Sequence, residues 1–161
     1  MSNRKRLLKS TFLLEEIVEL EKMIAHSEIC ATPISSKSID WHIDHSLKVI
    51  LKISKALKYS EPVTFQWKFN LVRSIIFLTR YIPRGKGKAP KVVLPPDKIL
   101  KKDLLLQINK VYQNLNEIEN LPASSNFEHP YFGSLNLKMS QKFLKLHTNH
   151  HLKIIRDIKA Y

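Results

Sequence analysis

The sequence predicts an all-α fold, a bundle of four or five helices, and three observations predict it. Apolar residues recur at three- and four-residue steps through most of the chain. No stretch alternates with the period of two that a half-buried strand requires. Glycine is scarce: the 161 residues contain 3, and Gly85 and Gly87 share one loop, which favours helices over a turn-rich β architecture. A hydrophobic fraction of 43% excludes a disordered chain. The length suits one domain with its own core, so residues 1–161 are read as a single domain whose residues 1–6 form a basic tail.

A first helix is expected over 7–25, with Leu13, Ile17, Leu20 and Ile24 as its stripe. Ala31-Thr32-Pro33 ends it, because proline disfavours helix in the residue before it. Ser36 and Ser38 offer N-cap hydroxyls for a second helix over 39–59, carrying Ile43, Leu47, Ile50, Ile53 and Leu57. A third, over 65–81, is apolar on more than one face and reads as a bundle centre or a subunit interface, from which a homodimer is expected. Arg73 and Arg80 break that run well short of the ~20 apolar residues of a membrane span. Residues 82–96, with Pro83, Pro90, Pro95 and Pro96, read as a surface loop. Asp97 is the expected N-cap of a fourth helix to about residue 119, where Leu104, Ile108, Val111, Leu115 and Ile118 alternate four and three apart. A second long loop follows over 123–135. The last helix, capped by Asn136 or Ser140, runs to near Ala160.

Several function classes recede at once. The N-terminus is basic, but Glu15 and Glu16 interrupt the apolar pattern behind it, so neither a signal peptide nor a membrane anchor is read and no membrane partner is expected. The lone Cys30 makes no internal disulfide, and a reducing, cytoplasmic setting is the default. A net charge of +13 would suit nucleic acid or an anionic surface. The lysines are spread along nearly every helix, however, as in a solvated exterior. The glycine-softened loop Arg84-Gly85-Lys86-Gly87-Lys88 makes Arg84, Lys86 and Lys88 anion-binding candidates. It lacks a P-loop signature and interleaved aromatics, which argues against nucleic acid.

The chemistry sits in the histidines. His147 and His151 are four apart on the last helix, roughly 40° from each other at about 100° per residue. Leu144, Ile154, Ile155 and Ile158 share their arc, so both imidazoles point into the core. Burying two unpaired imidazoles is costly, whereas one divalent metal ion would satisfy both. A third ligand is expected from Trp41-His42-Ile43-Asp44-His45, where helical geometry places His42 nearer the apolar centre and His45 at its edge. Three neutral imidazoles with open positions describe a reactive site for zinc, nickel or iron. Such an ion activates a bound water, thiolate or carbonyl. Asp44 and His150 are candidates for proton transfer. His129, before a proline, is either structural or closes over the site.

Taken together, these residues resemble the DinB-like superfamily of metal-dependent proteins. The H-x-x-x-H of His147 and His151 matches that family's last-helix pair, and Asp44-His45-Ser46-Leu47 matches its second-helix histidine. The segment from His129 to Leu135, followed by the histidine cluster, resembles one uncharacterised branch. The resemblance implies an up-down-down-up four-helix bundle, with room for an extra short helix and two long loops. It implies His45, His147 and His151 as metal ligands, with His42 the alternative to His45. It also implies a metal-dependent hydrolase or a thiol-dependent transferase acting on a small molecule. The competing reading is a non-enzymatic basic module that binds anions or nucleic acid.

Overall fold

A computed structural model describes residues 12–161; the expected tail at 1–6 and the expected helical start at 7–11 lie outside the described residues. The described chain is mostly helical. In order it forms α1 (Leu14–Met23), α2 (Ile39–Lys58), α3 (Leu71–Thr79), α4 (Lys101–Glu119), β1 (Asn126–His129), β2 (Gly133–Asn136) and α5 (Leu137–Ala160). Among these residues no helix is long and apolar enough to cross a membrane.

α2 organises the packing, lying most closely against α4 and α5. Its Ile43, Leu47, Ile50 and Leu57 are fully buried, as are Leu104, Ile108 and Leu115 of α4 and Leu144, Leu152 and Ile155 of α5. Each such side chain contributes about 1.5–3 kcal/mol by leaving water. α1 joins the same core through Ile17 and Leu20. Its acidic face then fixes the rotation of α5. Arg156 grips the Glu19 carboxylate with Nε at 2.6 Å and Nη2 at 2.5 Å, and Asn149 Nδ2 donates to buried Glu16 at 2.9 Å. These two clamps bracket His150 and His151, so the histidine face of α5 is held toward α2.

Several sequence expectations need correction. The first helix gives way at Ile24 to a 3-10 turn ending at His26, well ahead of Pro33. Ser38 occupies the N-cap position of α2, but its hydroxyl donates to Asp40 Oδ1 rather than accepting a backbone N–H. The third helix is shorter than expected. Residues 65–70 are not helical, and Asn70 opens α3 by accepting the Arg73 N–H at 2.8 Å. Nor is α3 a bundle centre, since of its residues only Arg73 is buried. Asp97 does not cap α4, which begins at Lys101 with Leu100 in the cap position.

The second loop is not wholly loop. β1 and β2 pair antiparallel with His129 opposite Gly133 and Phe127 opposite Leu135. The three-residue connection needs a left-handed residue, and Gly133 supplies it at φ 68°. α5 then starts from the capping Asn136, whose Oδ1 accepts the Met139 N–H at 3.0 Å. A strand expected nowhere thus launches the helix that carries two of the histidines.

Candidate metal centre

α2 contributes His45 and α5 contributes His147 and His151, and one ring nitrogen of each lies within 4.8 Å of the others. Among the described residues no other group of three or more His, Cys, Asp or Glu has this arrangement. The ring centroids are 5.2 Å apart for His45 and His147, 4.9 Å for His45 and His151, and 4.6 Å for His147 and His151. His45 and His151 are buried. His147 keeps some exposure as a residue, yet its Nδ1 is sealed from solvent and has no hydrogen-bond partner.

Each histidine is oriented by its neighbours. His45 Nδ1 lies 2.9 Å from the Val93 carbonyl. A carbonyl only accepts, so Nδ1 carries the proton and the Nε2 lone pair is left for a ligand bond. Trp41, one turn earlier, stacks on the same ring at 5.1 Å with 19° between planes. His151 Nδ1 lies 3.0 Å from Nδ1 of His42, whose Nε2 lies 3.0 Å from Ser35 Oγ. If His151 Nδ1 donates to His42, then His42 Nε2 donates to Ser35, and His151 Nε2 keeps its lone pair. The opposite tautomers place a proton on His151 Nε2. Only the first arrangement is compatible with a bound cation.

The electrostatics keep these rings neutral. Burial pushes His147 and His151 well below the usual imidazole value, and repulsion from neighbouring histidines adds to it. His45 is also lowered, chiefly by burial, with the Val93 hydrogen bond and Asp44 opposing. His42 falls to about 4, again by burial and then by His45. Neutral imidazole is the form that ligates, so no proton has to leave before a metal enters at neutral pH.

This donor set passes a test of fit. Three neutral nitrogens converge, the orphaned His147 Nδ1 lacks the partner that a buried imidazole nitrogen needs, and the second nitrogens of His45 and His151 are already occupied. One ring nitrogen of each histidine lies close enough to the other two for all three to share one ion.

The other predicted residues fall around this cluster. His42 is next to it, bonded to His151, rather than within the triad. His150 stands at the edge, its ring 5.1 Å from that of His151. Burial, then the Arg84 charge, lowers it to about 4. Asp44 is buried but turned to α4: Gln107 Nε2 donates to its Oδ1 at 2.6 Å and Lys48 Nζ lies 2.7 Å from its Oδ2. His129 ends β1 and holds the hairpin turn. Its Nδ1 accepts the N–H groups of Tyr131 and Phe132 at 3.2 Å each, and its ring stacks on Phe132 at 4.3 Å. Arg84 pairs with Asp157 at 2.5 Å, while the Lys86 and Lys88 residues are exposed.

Three contributors were not foreseen. Ser35 and Trp41 had a signal, since both lie within one or two turns of the histidines they support. Val93 had none, because it acts through a backbone carbonyl that every residue possesses.

Comparison with protein-family models, curated proteins and solved structures gives no match.

Proposed function

We propose that this protein is a DinB-like metal-binding protein in which His45, His147 and His151 hold one divalent cation, zinc or nickel before iron. The observation that carries the reading is the convergence of one ring nitrogen from each of three neutral imidazoles on facing helices, in a cluster where His147 Nδ1 is sealed and unpartnered. The shared core of α1, α2, α4 and α5 supports the four-helix bundle implied by the resemblance, with α3 as the extra short helix.

The reaction class is a metal-dependent hydrolysis or a thiol-dependent transfer on a small molecule, and it rests on that resemblance. When bound, the cation supplies Lewis acidity that makes a water or thiol nucleophilic at neutral pH. The chain's own residues supply the rest. Val93 and His42 fix the ring orientations of His45 and His151. His150 stands beside His151 at the edge of the site and would be the group that relays a proton there, as a weak base that burial lowers to about 4. Asp44 anchors α2 to α4 through Gln107 and serves the site as a positioning group.

The competing reading, a basic module for nucleic acid, draws less support. Arg84 is engaged by Asp157, and no aromatic interleaves the loop between Arg84 and Lys91.

Metal analysis of protein purified without chelators tests the proposal. One equivalent of metal is expected in the wild type and far less in His147→Ala and His151→Ala. Sub-stoichiometric metal that neither substitution changes, even after reconstitution, refutes it.

A further inference from the structure

The outward half of α3 is uncovered. At about 100° per residue, Leu78, Leu71, Ile75 and Val72 occupy one arc roughly 120° wide. All four are exposed, Leu78 at 83%. The opposite arc, Arg73, Ile76 and Phe77, meets the rest of the molecule. Aromatic residues stand at both ends: Trp67 and Phe69 before the helix, 60% and 69% exposed, and Tyr81 after it. A contiguous apolar face of this kind on a charged protein marks a binding surface.

Within the segment that carries that face the charge has one sign. Residues 62–96 contain no Asp or Glu, whereas Lys68, Arg80, Arg84, Lys86, Lys88 and Lys91 all fall there. From α5, Lys142 leans over Phe77 at 4.9 Å and Asp157 offsets Arg84, and from the hairpin Glu128 lines a cavity with Lys68, Phe69 and Arg73.

We propose that the outward face of α3 and the loop after it dock the protein on an anionic phospholipid surface. Leucine and isoleucine on the outer arc enter the acyl boundary, Trp67 and Tyr81 sit at headgroup level, and the lysines meet lipid phosphates. A second copy of the chain fits this face worse, because a symmetric pairing sets the same basic loops against each other. Nucleic acid would use the charge and leave Leu71, Ile75 and Leu78 without a partner. The attachment is peripheral, and it departs from the sequence expectation that no membrane is a partner.

Vesicle sedimentation with the full chain tests this, using phosphatidylcholine alone and phosphatidylcholine mixed with phosphatidylglycerol. Binding to the mixed vesicles is expected to be at least about tenfold tighter, and to weaken about fivefold for each of Lys86→Gln and Lys88→Gln. Leu78→Asp, checked for folding by circular dichroism, should weaken it about tenfold. Brominated lipid should quench the tryptophan emission of the wild type, and the effect should vanish in Trp67→Phe; this arm holds even if Leu78→Asp unfolds. Absence of binding to the mixed vesicles overturns the proposal, as does quenching that persists in Trp67→Phe. A dimeric mass by light scattering that Leu78→Asp converts to monomer also overturns it, since a second copy then owns the face.

Discussion

Nδ1 of His42 and Nδ1 of His151 face each other across the α2–α5 interface at 3.0 Å. Two like nitrogens at hydrogen-bond distance must differ in protonation, so this contact couples the tautomers of both rings. It makes His42 a support for His151 rather than a rival of His45.

Removing that support has a defined consequence. His42→Ala should retain one equivalent of zinc but bind it about 10–100-fold more weakly, as outer-shell losses commonly do. A competition titration against a chromophoric chelator measures it. Equal affinity in the variant would show that the His42–His151 contact does not orient the ligand.

Asp44 separates a structural role from a role in holding metal. Its loss leaves the Gln107 amide without its acceptor in a partly buried site, and Asp44→Ala should cost about 1–3 kcal/mol in urea unfolding. Metal stoichiometry should stay at one. Loss of metal from a variant that still folds would place Asp44 within the site after all.

Stability should depend on pH through the histidines that burial keeps neutral. His129 and His42 titrate near 4 in the folded chain, against 6.5 when exposed. Above pH 6.5 both states are neutral and neither ring contributes a slope. As pH falls from 6.5 to about 4, the unfolded chain takes up protons that the folded chain refuses, and stability falls by about 1.4 kcal/mol per pH unit for each such histidine. For His129 the cause is burial, and a proton on Nδ1 would also face the two turn N–H groups that this nitrogen accepts. Urea unfolding between pH 4 and 8 checks it. A flat profile across the lower half would contradict this assignment.

Metal should stabilise the fold by mass action. At free zinc a thousandfold above Kd the gain is about 4 kcal/mol, or roughly 10 °C in Tm for a chain of this size. Calorimetry with and without chelator reads it. In His147→Ala the chelator should make no difference.

Much of this was legible in the sequence, for reasons that also explain what was not. The stripes of α2, α4 and α5 lie on one face each, and their apolar residues are the buried ones. His147 and His151 followed from the same periodicity. The choice between His42 and His45 did not, since both rings are buried to the same degree; His45 lies within the close triad, bonded to the Val93 carbonyl, while His42 bonds to His151. α3 misled because apolar content on two faces means burial only when something covers both, and here the outer face is bare. The hairpin escaped notice because its strands are four residues long, too short for a period-two pattern, and Gly133 was its main signal.

The most direct measurement of the central claim is an anomalous-scattering map of zinc-soaked crystals, collected at the zinc edge. The account predicts one strong peak bonded to a nitrogen of each of His45, His147 and His151, with His42 bonded to His151 and not to the metal. Absence of a peak there, or a peak ligated by His42 in place of His45, would contradict it.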